Sequence, residues 1–128
     1  MTRPFLVMAL AALVLATPPA AAASDADTLR AGREAAKVCE TCHHFTRSVD
    51  KFGPPLVGVV GRPIASIARF PYSAALKGVG GTWTEERIAA FVNDPKAFAP
   101  GTAMKFEGYK DLATARAVAA YVAKRTAR

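Results

Sequence analysis

Cys39, Glu40, Thr41, Cys42 and His43 set two thiols three positions apart, with an imidazole directly after the second. On adjacent turns of a helix that spacing points both sulfurs one way. It is the pattern of covalent haem attachment, in which two thioethers hold the ring while the neighbouring histidine ligates its iron. Other uses of Cys-x-x-Cys fit less well. A dithiol redox motif opens a helix after a buried strand, and residues 31–38 hold no run of branched or aromatic residues that could form one. A structural zinc site needs four ligands, usually from two Cys/His pairs, and Cys39, Cys42, His43 and His44 are the chain's only cysteines and histidines. A disulfide is possible in an exported protein, but between residues so close it would constrain almost no chain.

The far side of such an iron is open to a second donor. Met104 is the only methionine outside residues 1–23, and a lone methionine is ordinarily a flexible filler of core gaps. Its surroundings differ here. Pro100-Gly101-Thr102-Ala103-Met104-Lys105-Phe106 reads as a turn followed by an extended stretch, a stiff loop able to hold one side chain against a flat face. His44 points away from its neighbour's face, which leaves Met104, a lysine or no ligand.

The elements that must position these residues are helices. Acidic capping candidates open a helix over residues 27–38 that runs through alanine-rich sequence into the cysteines. Thr84, followed by Glu85 and Glu86, begins another, with acids at its positive end and Ile88, Phe91 and Val92 at helical spacing. Asn93-Asp94-Pro95 stops it. Asp111 opens the last, whose apolar stripe is Leu112, Ala115, Val118, Ala119 and Val122 and whose Lys124, Arg125 and Arg128 suit the negative end. Residues 45–81 are punctuated by glycine and proline and read as loops. Such a chain has little core of its own, so an inserted haem supplies missing apolar mass and the apoprotein is expected to fold poorly.

Arg3, the apolar run over residues 5–16, Pro18-Pro19 and the small residues 20–23 read as a secretory signal cleaved after Ala23, with an uncleaved anchor as the alternative. Export suits covalent haem, which is attached outside the cytoplasm, and a bacterial periplasm is the expected address. Residues 24–128 then form one small domain. The formal net charge is +7, of which Arg3 supplies one. With no clustered basic stretch, that balance favours acidic protein partners over nucleic acid.

Across nearly all of residues 24–128 the chain resembles the class I c-type cytochromes of mitochondria and bacterial periplasms. The shared motifs are the haem-binding five residues, Gly53-Pro54-x-Leu56 with Gly58 and Gly61-Arg62, Phe70-x-Tyr72-Ser73, Thr82-Trp83, Asn93-x-Pro95 and Pro100-Gly101-Thr102-x-Met104-x-Phe106. The resemblance implies an all-α fold of short helices and loops wrapped around one haem c bound through Cys39 and Cys42. It implies His43 and Met104 as axial ligands, Pro54 offering its carbonyl to the second nitrogen of His43, and Arg62, Tyr72, Trp83 and Thr102 around the haem propionates. Departures from the family are Phe91 for a tyrosine near the methionine sulfur and Leu76 for a buried asparagine, which make the distal pocket drier. Ala36 stands where a bulky aromatic usually packs near Tyr121, so a weaker contact between the terminal helices is expected.

With both axial positions filled, iron has no place for substrate, and no acid-base set stands beside it. The resemblance therefore implies a monomeric, soluble periplasmic carrier of single electrons rather than an enzyme, with no stable membrane insertion once the signal is cleaved. Lys51, Lys96 and Lys110 match or adjoin the family's docking face toward acidic redox partners. The alternative is a haem enzyme or gas sensor in which Met104 is displaceable.

Overall fold

The computed structural model describes residue 1 and residues 14–128. Most of the apolar run assigned to the signal lies outside them. Helix α1 spans Asp25–Ala35 and starts at Ser24, whose hydroxyl accepts from the Asp27 amide at 3.2 Å. It therefore begins two residues earlier than the acidic residues alone indicate. It also ends sooner: over Ala36–Thr41 the chain tightens into a 3-10 turn, with Cys42 at its C-cap. The cysteines thus lie not on an α-helix but on a tighter winding, where side chains three apart move toward eclipse.

Helix α2, Ala74–Val79, falls inside the stretch expected to be loop and is nucleated by Ser73, whose hydroxyl accepts from Leu76 N at 3.2 Å. Helix α3, Glu85–Asn93, starts at Thr84 as expected, its hydroxyl taking the Arg87 amide at 3.1 Å. Asn93-Asp94-Pro95 ends α3 and also begins α4, Pro95–Phe98, where the Asp94 carboxylate accepts from Ala97 N at 3.2 Å. Proline at the first helical position lacks only an amide that would have no partner there. Helix α5, Leu112–Thr126, is capped by Asp111 through the amides of Ala113 and Thr114.

No strand forms among the described residues. One isolated bridge joins Pro63 to Thr82, flanked by Trp83 N to Arg62 O at 2.9 Å and Gly61 N to Trp83 O at 2.8 Å. Helices α1, α3 and α5 enclose the core, in which Ala115, Val118 and Ala119 are fully buried and Ile88, Phe91 and Val122 nearly so. Leu112, counted in the expected stripe, is instead 45% exposed at the first turn of α5. Trp83 stacks on both Phe91 and Phe98, which meet each other at a 43° tilt, with ring centroids 5.2 to 5.7 Å apart.

Where α1 crosses α5, a Cβ built on Gly32 would stand 2.0 Å from the Ala117 carbonyl oxygen. The helices approach backbone to backbone. Ala36, 1% exposed, packs beside this crossing. The contact between the terminal helices, expected to be weaker for the small Ala36, is close one turn earlier at Gly32.

Candidate haem site

His43 is held from two sides. Its Nδ1 lies 2.7 Å from the Pro54 carbonyl oxygen; a carbonyl only accepts, so Nδ1 carries the proton and the Nε2 lone pair is left for a metal. Gly53 closes the other side: a Cβ there would meet His43 Cε1 at 2.3 Å. The Gly53 amide donates to Cys42 O at 2.8 Å, which ties this turn back to the cysteine segment. Burial pushes the imidazole below its usual range, the Pro54 bond opposes this, and the cations Arg62 and Lys51 reinforce it. The ring stays neutral, as a metal-ligating histidine must.

Cys39 is partly buried, Cys42 is exposed, and the two form no disulfide with each other. Burial raises the Cys39 thiol above its usual range, with the Tyr109 hydrogen bond pulling the other way. A redox dithiol or nucleophilic cysteine needs the opposite shift. Among the described residues, no group of three or more His, Cys, Asp and Glu side chains is arranged to hold a metal by itself. This donor set suits thioether attachment of a ring that brings its own metal.

Met104 sits on the stiff loop read from the sequence. Thr102 N donates to Ala99 O at 2.9 Å, Gly101 takes a left-handed φ of 93°, and the Met104 amide donates to Thr102 Oγ1 at 3.3 Å. The side chain is half-buried. It packs on the core cluster that also carries Cys39, Leu56, Leu76, Val79 and Phe98, each of them only partly buried. With Met104, these side chains come from five separate segments, and each keeps apolar surface that the protein core does not cover.

Arg62 Nη1 donates to Pro55 O at 3.0 Å and Val57 O at 3.4 Å. Burial, then the nearby Arg128, lowers its guanidinium, and the Tyr72 phenol acts in the opposite sense. The Tyr72 phenol is itself raised by burial while Arg62 works to lower it, so these two groups share a site. Trp83 joins them through its backbone bond to Arg62. Of the four residues expected around the propionates, Arg62 and Tyr72 are thus neighbours, the Trp83 ring stacks instead on Phe91 and Phe98, and Thr102 serves the Met104 turn.

Two residues of the site carry roles that the sequence does not announce. Gly53 belongs to the shared Gly53-Pro54 motif without a role of its own there, and its missing side chain is what admits the His43 ring. Tyr109 gave no signal at all; its hydroxyl donates to Ala35 O at 2.8 Å and lies 3.7 Å from Cys39 Sγ. Burial raises this phenol well above its ordinary range. The lysines expected to face redox partners are engaged within the chain: Lys96 pairs with Glu107 at 2.8 Å, Lys110 stands 3.9 Å from Asp94, and Lys51 donates to the Glu40 carbonyl at 2.7 Å.

Cytochrome c2 of Blastochloris viridis is 40% identical over 118 residues, which make up 91% of this chain and 90% of that protein. The chain belongs to the cytochrome c family. A cytochrome c homolog of Rickettsia felis is 47% identical over 78 residues, but those are 60% of this chain and 45% of the relative, so this chain matches about half the length of such relatives. Among solved structures, cytochrome cH from Methylobacterium extorquens is similar, with 34% identity and a TM-score of 0.67 over 75% of this chain and 97% of its own. No family model matches the chain. The fold is the all-α cytochrome c fold, and its cofactor is haem c, for which Cys39, Cys42 and His43 supply the covalent-attachment pattern.

Proposed function

We propose that this cytochrome c is an exported carrier of single electrons, with His43 and Met104 as the axial ligands of its haem iron. Bound haem supplies a metal that changes oxidation state by one electron. The protein's part is to hold that metal in one geometry in both states. Pro54 and Gly53 fix the His43 ring so that only Nε2 is available, and a thioether as second ligand favours the ferrous state. Arg62 and Tyr72 form the polar corner where propionates are stabilised, since a buried carboxylate needs paired donors.

The observation that carries this reading is the Thr102 to Met104 turn, which holds the chain's one candidate thioether half-buried on the same core as Cys39. A filled second position denies iron to substrate, and electron exchange is what remains. Residues 1–23 direct export, with the periplasm as destination and residues 24–128 as the working domain. No helix among the described residues is long and apolar enough to cross a membrane. The basic balance, including exposed Lys51 and Lys105, steers the protein toward acidic faces of redox partners.

Carbon monoxide tests the axial assignment. The ferrous protein is expected to take up little at neutral pH, whereas Met104→Ala, which opens the position, binds it quickly. Rapid uptake by the unaltered protein would overturn the carrier reading in favour of a sensor or enzyme with a displaceable methionine.

A further inference from the structure

Helix α1 stops being an α-helix at Ala35, one turn before Cys39. The winding continues as the 3-10 turn Ala36–Thr41 with Ala35 as its N-cap, and the Ala35 oxygen, which has two lone pairs, also accepts from a residue 74 positions away, the Tyr109 hydroxyl, at 2.8 Å. The same hydroxyl is 3.7 Å from Cys39 Sγ. Once that sulfur is a thioether it has no proton to give and only accepts, so the tyrosine remains the donor to whichever group it contacts.

The other end of Tyr109 belongs to the segment that follows Met104. Its amide donates to Val92 O at 3.0 Å, and the Lys110 amide reaches Asn93 O at 3.3 Å. Gly108, with φ 93°, lies so close to the end of α3 that a Cβ would stand 2.2 Å from Asn93 O. Lys110 keeps a left-handed φ of 60°, uncommon for a residue with a side chain. Phe106 packs edge-on against the Tyr109 ring at 4.8 Å. The loop carrying Met104 is thus fastened at its start by the Ala99 to Thr102 turn and at its finish by the Tyr109 contacts.

We infer that Tyr109 is a positioning residue for the distal ligand: its hydroxyl ties the Met104 loop to the junction of α1 with the cysteine-bearing turn, so that one bond serves both faces of the haem. Loss of this tether leaves Met104 more easily displaced from iron. The inference rests on the proposed ligation by Met104.

The test is an imidazole titration of the ferric holoprotein, followed by the sulfur-to-iron charge-transfer band, in the unaltered protein and in Tyr109→Phe. That substitution keeps the ring and its contact with Phe106 and removes only the hydroxyl. Imidazole should bind the variant about two- to tenfold more tightly, the span set by one lost hydrogen bond. Thr126→Val, which removes a hydrogen bond of the same kind at the last turn of α5, from the Thr126 hydroxyl to Val122 O at 2.7 Å, should leave imidazole affinity unchanged within about twofold. Equal affinity in Tyr109→Phe and the unaltered protein would overturn the inference, as would an equal gain in Thr126→Val. Absence of the charge-transfer band from the unaltered protein would overturn the axial assignment itself, and this inference with it.

Discussion

Substituting Gly53 by alanine adds one methyl group beneath the His43 ring, at 2.3 Å from Cε1, 2.7 Å from Nδ1 and 2.9 Å from Nε2. Carbon atoms sit comfortably near 3.5 to 4.0 Å, so the clash exceeds an ångström and something must move. If the ring swings away, it gives up the bond to Pro54 O at 2.7 Å, worth about 0.5–1.5 kcal/mol. If the backbone retreats, it strains the Gly53 amide's bond to Cys42 O at 2.8 Å and drags on the haem-binding turn. Either route falls in the range of about 1–3 kcal/mol that overpacking costs. Thermal unfolding of the ferric holoprotein should show it as a Tm lowered by about 4–8 °C for each kcal/mol in a domain of this size. Gly78→Ala is the matched control: it sits within α2 with nothing near its added methyl, and helix propensity predicts a gain of up to about 1 kcal/mol. The midpoint potential separates the two routes. An imidazole that has lost Pro54 donates less strongly to ferric iron, so ring displacement raises the potential while backbone retreat leaves it nearly still. Gly53→Ala melting at or above the unaltered protein would refute the reasoning.

Gly32→Ala sets two effects against each other: helix propensity favours alanine by about 1 kcal/mol, while its methyl would stand 2.0 Å from the Ala117 carbonyl oxygen. Backbone cannot rotate aside as a side chain can, so the steric cost of about 1–3 kcal/mol should win, and a denaturant midpoint above that of the unaltered holoprotein would show otherwise. On the acid side, hydrogen bonds from the Thr114 hydroxyl and amide hold the Asp111 carboxyl below its usual range. A folded value below the unfolded one makes the contribution complete above the unfolded value, about pH 4, and lost as pH falls through the folded one. Asp111→Asn should therefore flatten the acid limb of stability against pH, and an unchanged slope below about pH 4 would count against that linkage.

What could be read from the sequence was whatever chemistry and local capping write within a few residues. Cys39, Cys42 and His43 declare themselves by spacing, and Thr84 and Asp111 cap α3 and α5 where expected. The turn before Met104 forms as its Pro-Gly-Thr sequence requires. Helices α2 and α4 were missed because each is so short that hydrophobic periodicity has no length in which to show; only the Ser73 and Asp94 caps mark them. The close packing of α1 on α5 was missed for another reason. An alanine in place of an aromatic reads as a lost contact, and only the neighbouring helix reveals that Gly32 and Ala117 have closed the distance.

The two faces of the site differ in the same way. His43 is positioned by residues within eleven places of it, Cys42, Gly53 and Pro54, so its geometry is nearly a property of one short segment. Met104 is presented by a loop whose near end is local but whose far end depends on Val92, Asn93 and Ala35, which come together only after α1 and α3 have docked. Long-range contacts of that kind are secured late and open first, because loop closure must be met before they form. The histidine side therefore outlasts the methionine side under any stress that loosens helix packing. Heat, denaturant and the Gly32 substitution should all release Met104 before the His43 bond, in that order of events whatever the magnitude of each.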